Sequence, residues 1–250
     1  MFKECFILFL LAHILGDFYL QTKGMAEKKE KSIKWVLLHC LCYWGIMLLV
    51  GLPIISFEIV LTMTVASIVH FVIDTAKYSY LSVMTKKKKK TQVIERNVFF
   101  VDQILHILSL TVITYWIVIK DVVLREFNII KEFFNTVDIS EVMTISWILA
   151  LLAIHKPANI AIQKLLMLYK PENKEDIKKD NNAGRFIGTI ERVIMLIFLS
   201  IGQYSAIGLV LTAKSIARYD RISKEKDFAE YYLLGTLIST VIVIVVSFIL

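Results

Sequence analysis

The sequence predicts an all-α integral membrane protein with about seven transmembrane helices. The chain is 57% hydrophobic and its mean hydropathy is +0.65, values too apolar for a water-soluble domain. The apolar residues lie in runs of about 18 or more, the length at which a helix crosses a bilayer. These runs are continuous rather than alternating, so they favour spanning helices over a barrel.

The apolar runs give the predicted spans in order along the chain. The first run follows Lys3, as in a signal peptide, but it has no small-residue cleavage site and is therefore interpreted as a retained span. Pro157 is expected to kink the fifth span. The predicted spans cover residues 2–20, 35–52, 57–78, 97–119, 142–168, 189–213 and 229–250.

The distribution of basic residues predicts the orientation. Lysine and arginine are concentrated after the first and third spans, whereas the loop after the second span has none. By the positive-inside rule the first and third loops are cytoplasmic, so the amino terminus faces outward. The run Lys86–Lys90 is interpreted as part of such a loop, although it could also attract anionic lipid.

The sequence leaves the topology of residues 186–228 open. Basic residues crowd both 170–185 and 214–226, so one span between these segments would leave one of them outside. A re-entrant hairpin that bends near Gly202 would keep both inside and give six spans. Run length favours the single span, while charge favours the hairpin. The roles of five polar residues near these span ends are also undecided: Glu191, Arg192, Lys214, Arg218 and Glu230.

Three of the predicted spans carry a histidine and an aspartate four residues apart. The histidine comes first in the first and third spans, and the aspartate comes first in the fourth. A separation of four is about one helical turn, so the two side chains share a helix face. The pairs are His13 with Asp17, His70 with Asp74, and Asp102 with His106, while His39 lies alone in the second span.

The reversed order in the fourth span predicts that these pairs converge. That span runs opposite to the first and third, so reversing the motif brings the three aspartates to one membrane face, with the histidines one turn deeper. Ionisable side chains are costly in hydrocarbon and usually face a bundle interior or each other. We therefore expect one site in a four-helix domain over 1–120, near the cytoplasmic face. An extension of about three helices over 121–250 should follow.

Imidazole nitrogens and carboxylate oxygens are ligands of transition metals. Four histidines and three aspartates exceed the needs of one tetrahedral ion, so they suit two ions, or one ion with carboxylates that orient the imidazoles. The sequence therefore predicts that all seven residues form a site for a divalent transition metal, zinc or manganese. The competing interpretation is that each pair only joins helices by hydrogen bonds.

A metal site of this kind suits hydrolysis. A bound ion lowers the pKa of a coordinated water and supplies hydroxide at neutral pH, and this nucleophile could attack a lipid or headgroup phosphoester at the cytoplasmic leaflet. Gln21 and Lys77, one turn beyond two of the aspartates, are predicted to bind an anionic headgroup, although snorkelling explains Lys77 equally well. The predicted catalytic residues are Asp17, Asp74 and Asp102.

Two other functions fit the sequence. An ion or proton transporter would need polar residues that continue to the outer face, and the outward halves of the first four spans offer little besides Thr62, Thr64 and Ser67. A non-enzymatic membrane partner would use the cluster structurally and its basic loops to dock a cytoplasmic protein. In each case the bilayer is a partner, anionic headgroups are candidate contacts, and no specific nucleic acid is predicted.

The segments HILGDFYLQT, HFVIDTAK and FVDQILH resemble the motifs of an uncharacterised family of bacterial inner-membrane proteins. The resemblance covers about residues 5–120, and the stretch from GRFIGTIER to FAEYYLLGT resembles the carboxyl-terminal extension of longer members. It implies a multi-pass protein of the bacterial cytoplasmic membrane and supplies no established activity. In pattern the sequence is also similar to membrane-bound metal-dependent hydrolases, an analogy that rests on membrane-embedded histidine and aspartate.

Overall fold

The computed structural model describes residues 1–54, 56–120, 128–170 and 183–250, and within these ranges it contains helices and no β-strand. Part of the basic segment 170–185 lies outside the described residues. The predicted all-α class is confirmed. The helices are α1 (Phe2–Ile14), α2 (Lys23–Lys29), α3 (Ile33–Gly51), α4 (Phe57–Lys86), α5 (Gln92–Ile119), α6 (Asn128–Val137), α7 (Glu141–Leu166), α8 (Ala183–Ser200), α9 (Tyr204–Ile216), α10 (Tyr219–Lys224) and α11 (Lys226–Ser247).

Five helices of the described chain are long and apolar enough to cross a membrane. They are α3, α4, α5, α7 and α11, and α7 contains Pro157. A sixth candidate span is formed if Phe2–Leu20 and Lys23–Lys29, which meet at a bend of 92°, are counted together as one broken span. The described helices therefore support a polytopic membrane protein with five or six spans.

Residues 189–213, predicted as one span, belong to two helices that fold back on each other. Gly202, between α8 and α9, has a left-handed φ of +71°, a conformation that glycine adopts without a Cβ clash. Lys214 Nζ in α9 lies 2.6 Å from Glu191 Oε2 in α8, so residues at similar distances from the turn are adjacent. The single span is not formed, and the hairpin alternative matches the observed turn at Gly202.

The chain divides into two compact units, Met1–Leu149 and Ala150–Leu250. In the first unit α1 packs on α3 and α5, and α4 also packs on α3 and α5, so these four helices close into a bundle. Side chains such as Phe9, Met47 and Met63 fill its apolar core.

The outer surface of the four-helix bundle is apolar while part of its interior is ionisable. The side chains of Leu41, Ile68, Val72, Ile104 and Val112 are each more than half exposed. In water this arrangement would leave apolar area unburied, whereas in lipid it places hydrocarbon against hydrocarbon. The exposed faces therefore agree with a bundle that contacts acyl chains.

Hydroxyl side chains fix the starts of three helices in the first unit. Thr22, Ser56 and Thr91 each accept a hydrogen bond from the backbone amide three residues later, at 3.2–3.3 Å. Each cap satisfies one amide that a helix start leaves unpaired.

The loop before α5 contacts the turn that follows α2. Lys90 Nζ donates to Glu30 Oε2 at 2.8 Å and lies 3.2 Å from Glu95 Oε1. The hydrogen bond to Glu30 raises the pKa of the Lys90 ammonium. The contact places the basic loops after the first and third predicted spans at the same end of the bundle.

Candidate metal centre

The structure brings the seven predicted ligand residues together inside the four-helix bundle. Their side chains come from all four helices and are only 1–9% exposed. Residues so buried must satisfy their polar atoms with one another or with a bound species. The seven are His13 in α1, Asp17 just after α1, His39 in α3, His70 and Asp74 in α4, and Asp102 and His106 in α5.

A π-helical turn over Leu15–Leu20 positions Asp17. Such widened turns frequently occur at functional sites. Asp17 Oδ2 lies 3.9 Å from His13 Nε2, whereas Asp17 Oδ1 lies 3.1 Å from His39 Nε2. The closer contact is therefore made across helices rather than within the sequence pair.

The centre of the cluster consists of two facing imidazole nitrogens and two carboxylates. His39 Nε2 and His70 Nε2 are 3.3 Å apart. Asp17 Oδ1 lies 3.1 and 3.4 Å from these nitrogens, and Asp74 Oδ2 lies 3.5 and 3.4 Å from them. When no proton is bound, all four atoms present lone pairs that repel one another. A proton or a metal cation must therefore lie between them.

The spacing of these atoms fits a small metal ion. A tetrahedral ion with bonds of about 2.0–2.1 Å separates its ligand atoms by about 3.3–3.5 Å. The two imidazole nitrogens form a triangle with Asp17 Oδ1 and another with Asp74 Oδ2, with edges of 3.1–3.5 Å. Each triangle therefore has about the size of one face of a tetrahedral zinc site.

A second group of ligand atoms lies beside the first. His13 and His106 stack with ring centroids 5.2 Å apart, and the buried atoms His13 Nε2, His106 Nε2 and Asp102 Oδ1 have no hydrogen-bond partner among the described residues. His106 Nδ1 lies 2.7 Å from the Asp102 backbone carbonyl. Because a carbonyl only accepts, Nδ1 carries the proton and Nε2 of the neutral ring keeps a free lone pair.

Two lysines neutralise carboxylates of the cluster. Lys29 Nζ donates to Asp74 Oδ2 at 2.6 Å, and Lys77 Nζ donates to Asp102 Oδ2 at 2.7 Å. With neutral imidazoles, the three aspartates and two lysines leave one net negative charge. A single divalent cation would make the site net positive, which suits a hydroxide or an anionic ester.

The two residues predicted to bind substrate lie at the edge of the cluster. Lys77 pairs with Asp102, and its side chain is 24% exposed. Gln21 accepts a hydrogen bond from Lys29 Nζ at 3.1 Å. Lys77 therefore contacts a candidate ligand directly, whereas Gln21 contacts one only through Lys29, and both side chains are more exposed than the ligands themselves.

Sequence reasoning missed two residues of the site, Tyr43 and Lys29. Tyr43 follows His39 by four residues, the spacing already recognised in the histidine–aspartate pairs, so its position was detectable. Its ring stacks on His70 with centroids 3.7 Å apart, and its hydroxyl lies 3.3 Å from His13 Nδ1. Lys29 looked like one more residue of a basic loop, and the sequence carries no signal that separates it from Lys28.

Replacement of Gly16 by alanine is expected to disturb the cluster through Tyr43. A Cβ at Gly16 would lie 2.6 Å from Cδ2 of Tyr43, too close for both to keep their positions, so we expect the ring to shift against His70. We expect a destabilisation of about 1–3 kcal/mol and weaker metal binding, measured by thermal unfolding and metal titration in detergent. Gly45→Ala is the matched control because its Cβ would meet open space. Equal behaviour of the two variants would contradict this role of Gly16.

Comparison with known proteins identifies a match for the amino-terminal half of the chain. A family model described as a protein of unknown function (DUF3307) matches residues 5–134. All seven residues of the cluster, together with Tyr43 and Lys29, lie within the matched range. No curated protein and no solved structure matches the chain.

Proposed function

The chain belongs to this family of proteins of unknown function, and from the geometry of its site we propose that it is a metal-dependent membrane hydrolase. The histidine and aspartate cluster would hold zinc or manganese, and the substrate would be a lipid or headgroup phosphoester. The observation that carries the proposal is the pair of triangles formed by His39 Nε2 and His70 Nε2 with Asp17 Oδ1 and with Asp74 Oδ2.

Three protein ligands with a free fourth position characterise catalytic zinc sites, whereas four closed ligands characterise structural ones. Either triangle supplies three ligands, so one carboxylate of the pair can bind the ion while the other accepts a proton. The atoms of His13, His106 and Asp102 that have no hydrogen-bond partner among the described residues would hold a second ion or position the substrate. The ion, when bound, would supply an activated hydroxide.

The chain's own residues would perform the remaining steps. Asp17, the most exposed of the seven at 9%, is the proposed base that removes a proton from the attacking water. The ammonium groups of Lys29 and Lys77 would offset the charge that develops on the phosphoester oxygens. Both amines already lie within hydrogen-bond distance of cluster carboxylates, so little movement is required.

The position of the cluster supports action at the cytoplasmic leaflet. Asp17 lies in the π-helical turn that ends at the bend into α2, and Lys29 connects α2 to the cluster through Asp74. The same end of the bundle carries the contact between Lys90 and Glu30. If the basic loops face the cytoplasm, the cluster lies toward the cytoplasmic boundary and the amino terminus faces outward.

A structural metal centre in a non-enzymatic membrane partner is the second candidate. The near-complete burial of the seven ligand side chains favours it, because a catalytic site needs an approach for water and substrate. In that case the basic loops would dock a cytoplasmic protein. The transport alternative has less support: Thr62 and Ser67 donate to carbonyls of their own helix, so their hydroxyls are engaged in α4.

The hydrolase proposal is tested with the chain of residues 1–250 in membrane vesicles. After loading with zinc or manganese, inside-out vesicles should release product from a lipid phosphoester, whereas right-side-out vesicles should not. Metal content of the purified protein, measured by mass spectrometry, should be at least one ion per chain. Metal-loaded protein that hydrolyses none of a panel of lipid phosphoesters would favour the structural centre. Protein purified without metal would contradict both metal centres and favour a cluster that only joins the helices by hydrogen bonds.

A further inference from the structure

A second cleft, in the unit Ala150–Leu250, is distinct from the metal centre. It has a volume of about 650 Å³ and is lined by residues of α7, α8, α9 and α11. This volume lies within the range of small-molecule sites, about 300–1,000 Å³. Five polar residues whose role the sequence left undecided belong to this unit, and four of them line the cleft: Glu191, Arg192, Lys214 and Arg218.

Arg192 is a fully buried cation at the wall of the cleft. Its guanidinium donates to the Ile154 carbonyl at 2.7 Å, to Asn159 Oδ1 at 2.8 Å, to Thr189 Oγ1 at 3.2 Å and to Ser239 Oγ at 3.3 Å. All of these acceptors are neutral, and the bonds use four of its five N–H groups. The buried positive charge therefore has no carboxylate partner among the described residues, an arrangement that favours a bound anion.

The charge of the cleft also favours an anion. Its one described carboxylate, Glu191, is paired with Lys214 at 2.6 Å. The exposed side chains of Arg185 and Arg218 line the cleft and form no ion pair within the described residues. Thr236 contributes a buried hydroxyl oxygen without a described partner. Guanidinium groups and hydroxyls are the donors that bind phosphate oxygens best.

The remaining wall of the cleft is apolar. Ile162, Leu166, Met167 and Ile187 line it together with Tyr232, whose ring lies 5.5 Å from Lys214 Nζ. A free phosphate would leave these side chains without a partner, whereas a lipid would cover them with its first acyl carbons. Leu166 lies in α7 and Tyr232 in α11, both candidate membrane spans, so the apolar wall belongs to helices that are expected to contact lipid.

We propose that this cleft binds the phosphate headgroup of an anionic membrane phospholipid. The phosphate oxygens accept hydrogen bonds from Arg192, Arg185 and Arg218, and the proximal acyl chains lie against the apolar wall. The site is independent of the metal centre and of the hydrolase proposal, because none of its residues belongs to the histidine and aspartate cluster.

The test measures binding of short-chain lipids to the full chain in detergent. Dihexanoyl phosphatidylglycerol should bind at least about tenfold more tightly than dihexanoyl phosphatidylcholine, since only the former carries net negative charge. The double variant Arg185→Gln/Arg218→Gln should lose at least about tenfold in affinity for phosphatidylglycerol. Lys224→Gln/Lys226→Gln removes two exposed cations outside the cleft and should bind as the wild type does.

Three results would overturn the proposal. Equal binding of the two lipids by the wild-type chain would show that charge is not recognised, and this comparison does not depend on any variant. Equal losses in the two double variants would show that surface charge alone attracts the lipid. If inorganic phosphate binds as tightly as phosphatidylglycerol, the ligand of the cleft is a water-soluble phosphate and not a lipid. The unfolding temperature of each protein is also measured, so that a loss of binding can be distinguished from a loss of fold.

Discussion

Replacing His70 by alanine is expected to abolish metal binding to the cluster. Its Nε2 belongs to both ligand triangles, 3.3 Å from His39 Nε2 and 3.4 Å from each of the two carboxylate oxygens. Loss of a residue that only hydrogen-bonds a metal ligand typically lowers metal affinity by about 10–100-fold. Loss of His70, a ligand shared by both triangles, should lower the affinity by more than this. The affinity for zinc or manganese is measured by titration of the metal-stripped protein in detergent.

His155→Ala is the matched control for this variant. His155 is an exposed histidine of α7, outside the cluster, so its replacement should leave the metal affinity unchanged. Because the His70 ring also stacks on Tyr43, the unfolding temperature of the metal-free His70→Ala protein has to be measured alongside. If folded His70→Ala protein binds metal as tightly as His155→Ala protein does, neither triangle is the metal site.

The sequence was sufficient to predict the all-α class and seven of the residues that the structure brings together in the cluster. The apolar runs are as long as the bilayer is thick, which leaves few alternatives for the backbone. The four-residue spacing of His70 and Asp74 on a regular helix places both on one face, and their observed separation is 3.4 Å. Reversal of the motif in α5 similarly brought Asp102 and His106 to the same interior.

The contacts of Asp17 could not be predicted from its spacing. The rule of one turn every 3.6 residues assumes a regular α-helix, whereas Leu15–Leu20 forms a wider π-helical turn. Asp17 therefore approaches His39 and His70 on neighbouring helices more closely than it approaches His13. Such contacts depend on how helices pack, which a periodicity within one helix does not encode.

The turn at Gly202 and the ion pair of Lys29 are two further features that the favoured interpretation of the sequence did not include. The apolar run continues through Gly202, so length alone favoured one span, although the basic residues on both sides already indicated a hairpin. Lys29 reaches Asp74 only because the chain bends by 92° before α2. Charge counting assigned this lysine to a loop, while the fold places its amine in the cluster.

Replacing Asp102 by asparagine is expected to abolish hydrolysis while the protein stays folded and keeps at least one metal ion. Asp102 Oδ1 is buried without a hydrogen-bond partner among the described residues, and Oδ2 pairs with Lys77 at 2.7 Å. Asparagine keeps the shape and can still accept from Lys77, but it removes the negative charge needed for metal binding or proton transfer. Loss of acid–base or ligand chemistry should lower the rate by about 10²–10⁴-fold, measured in the vesicle assay.

The same variant separates an enzyme from a structural centre. Because the Lys77 side chain is 24% exposed, its amine can reach water when the carboxylate is removed, so the free energy of unfolding should fall by no more than about 1 kcal/mol. A cluster that serves only to hold the helices together should instead lose about 3–5 kcal/mol when a buried charge pair is broken. Asp138→Asn makes the same chemical change at an exposed position and should alter neither the rate nor the stability. An Asp102→Asn protein that unfolds in detergent while its control stays folded would favour the structural centre, because the carboxylate would then be needed for the fold rather than for chemistry.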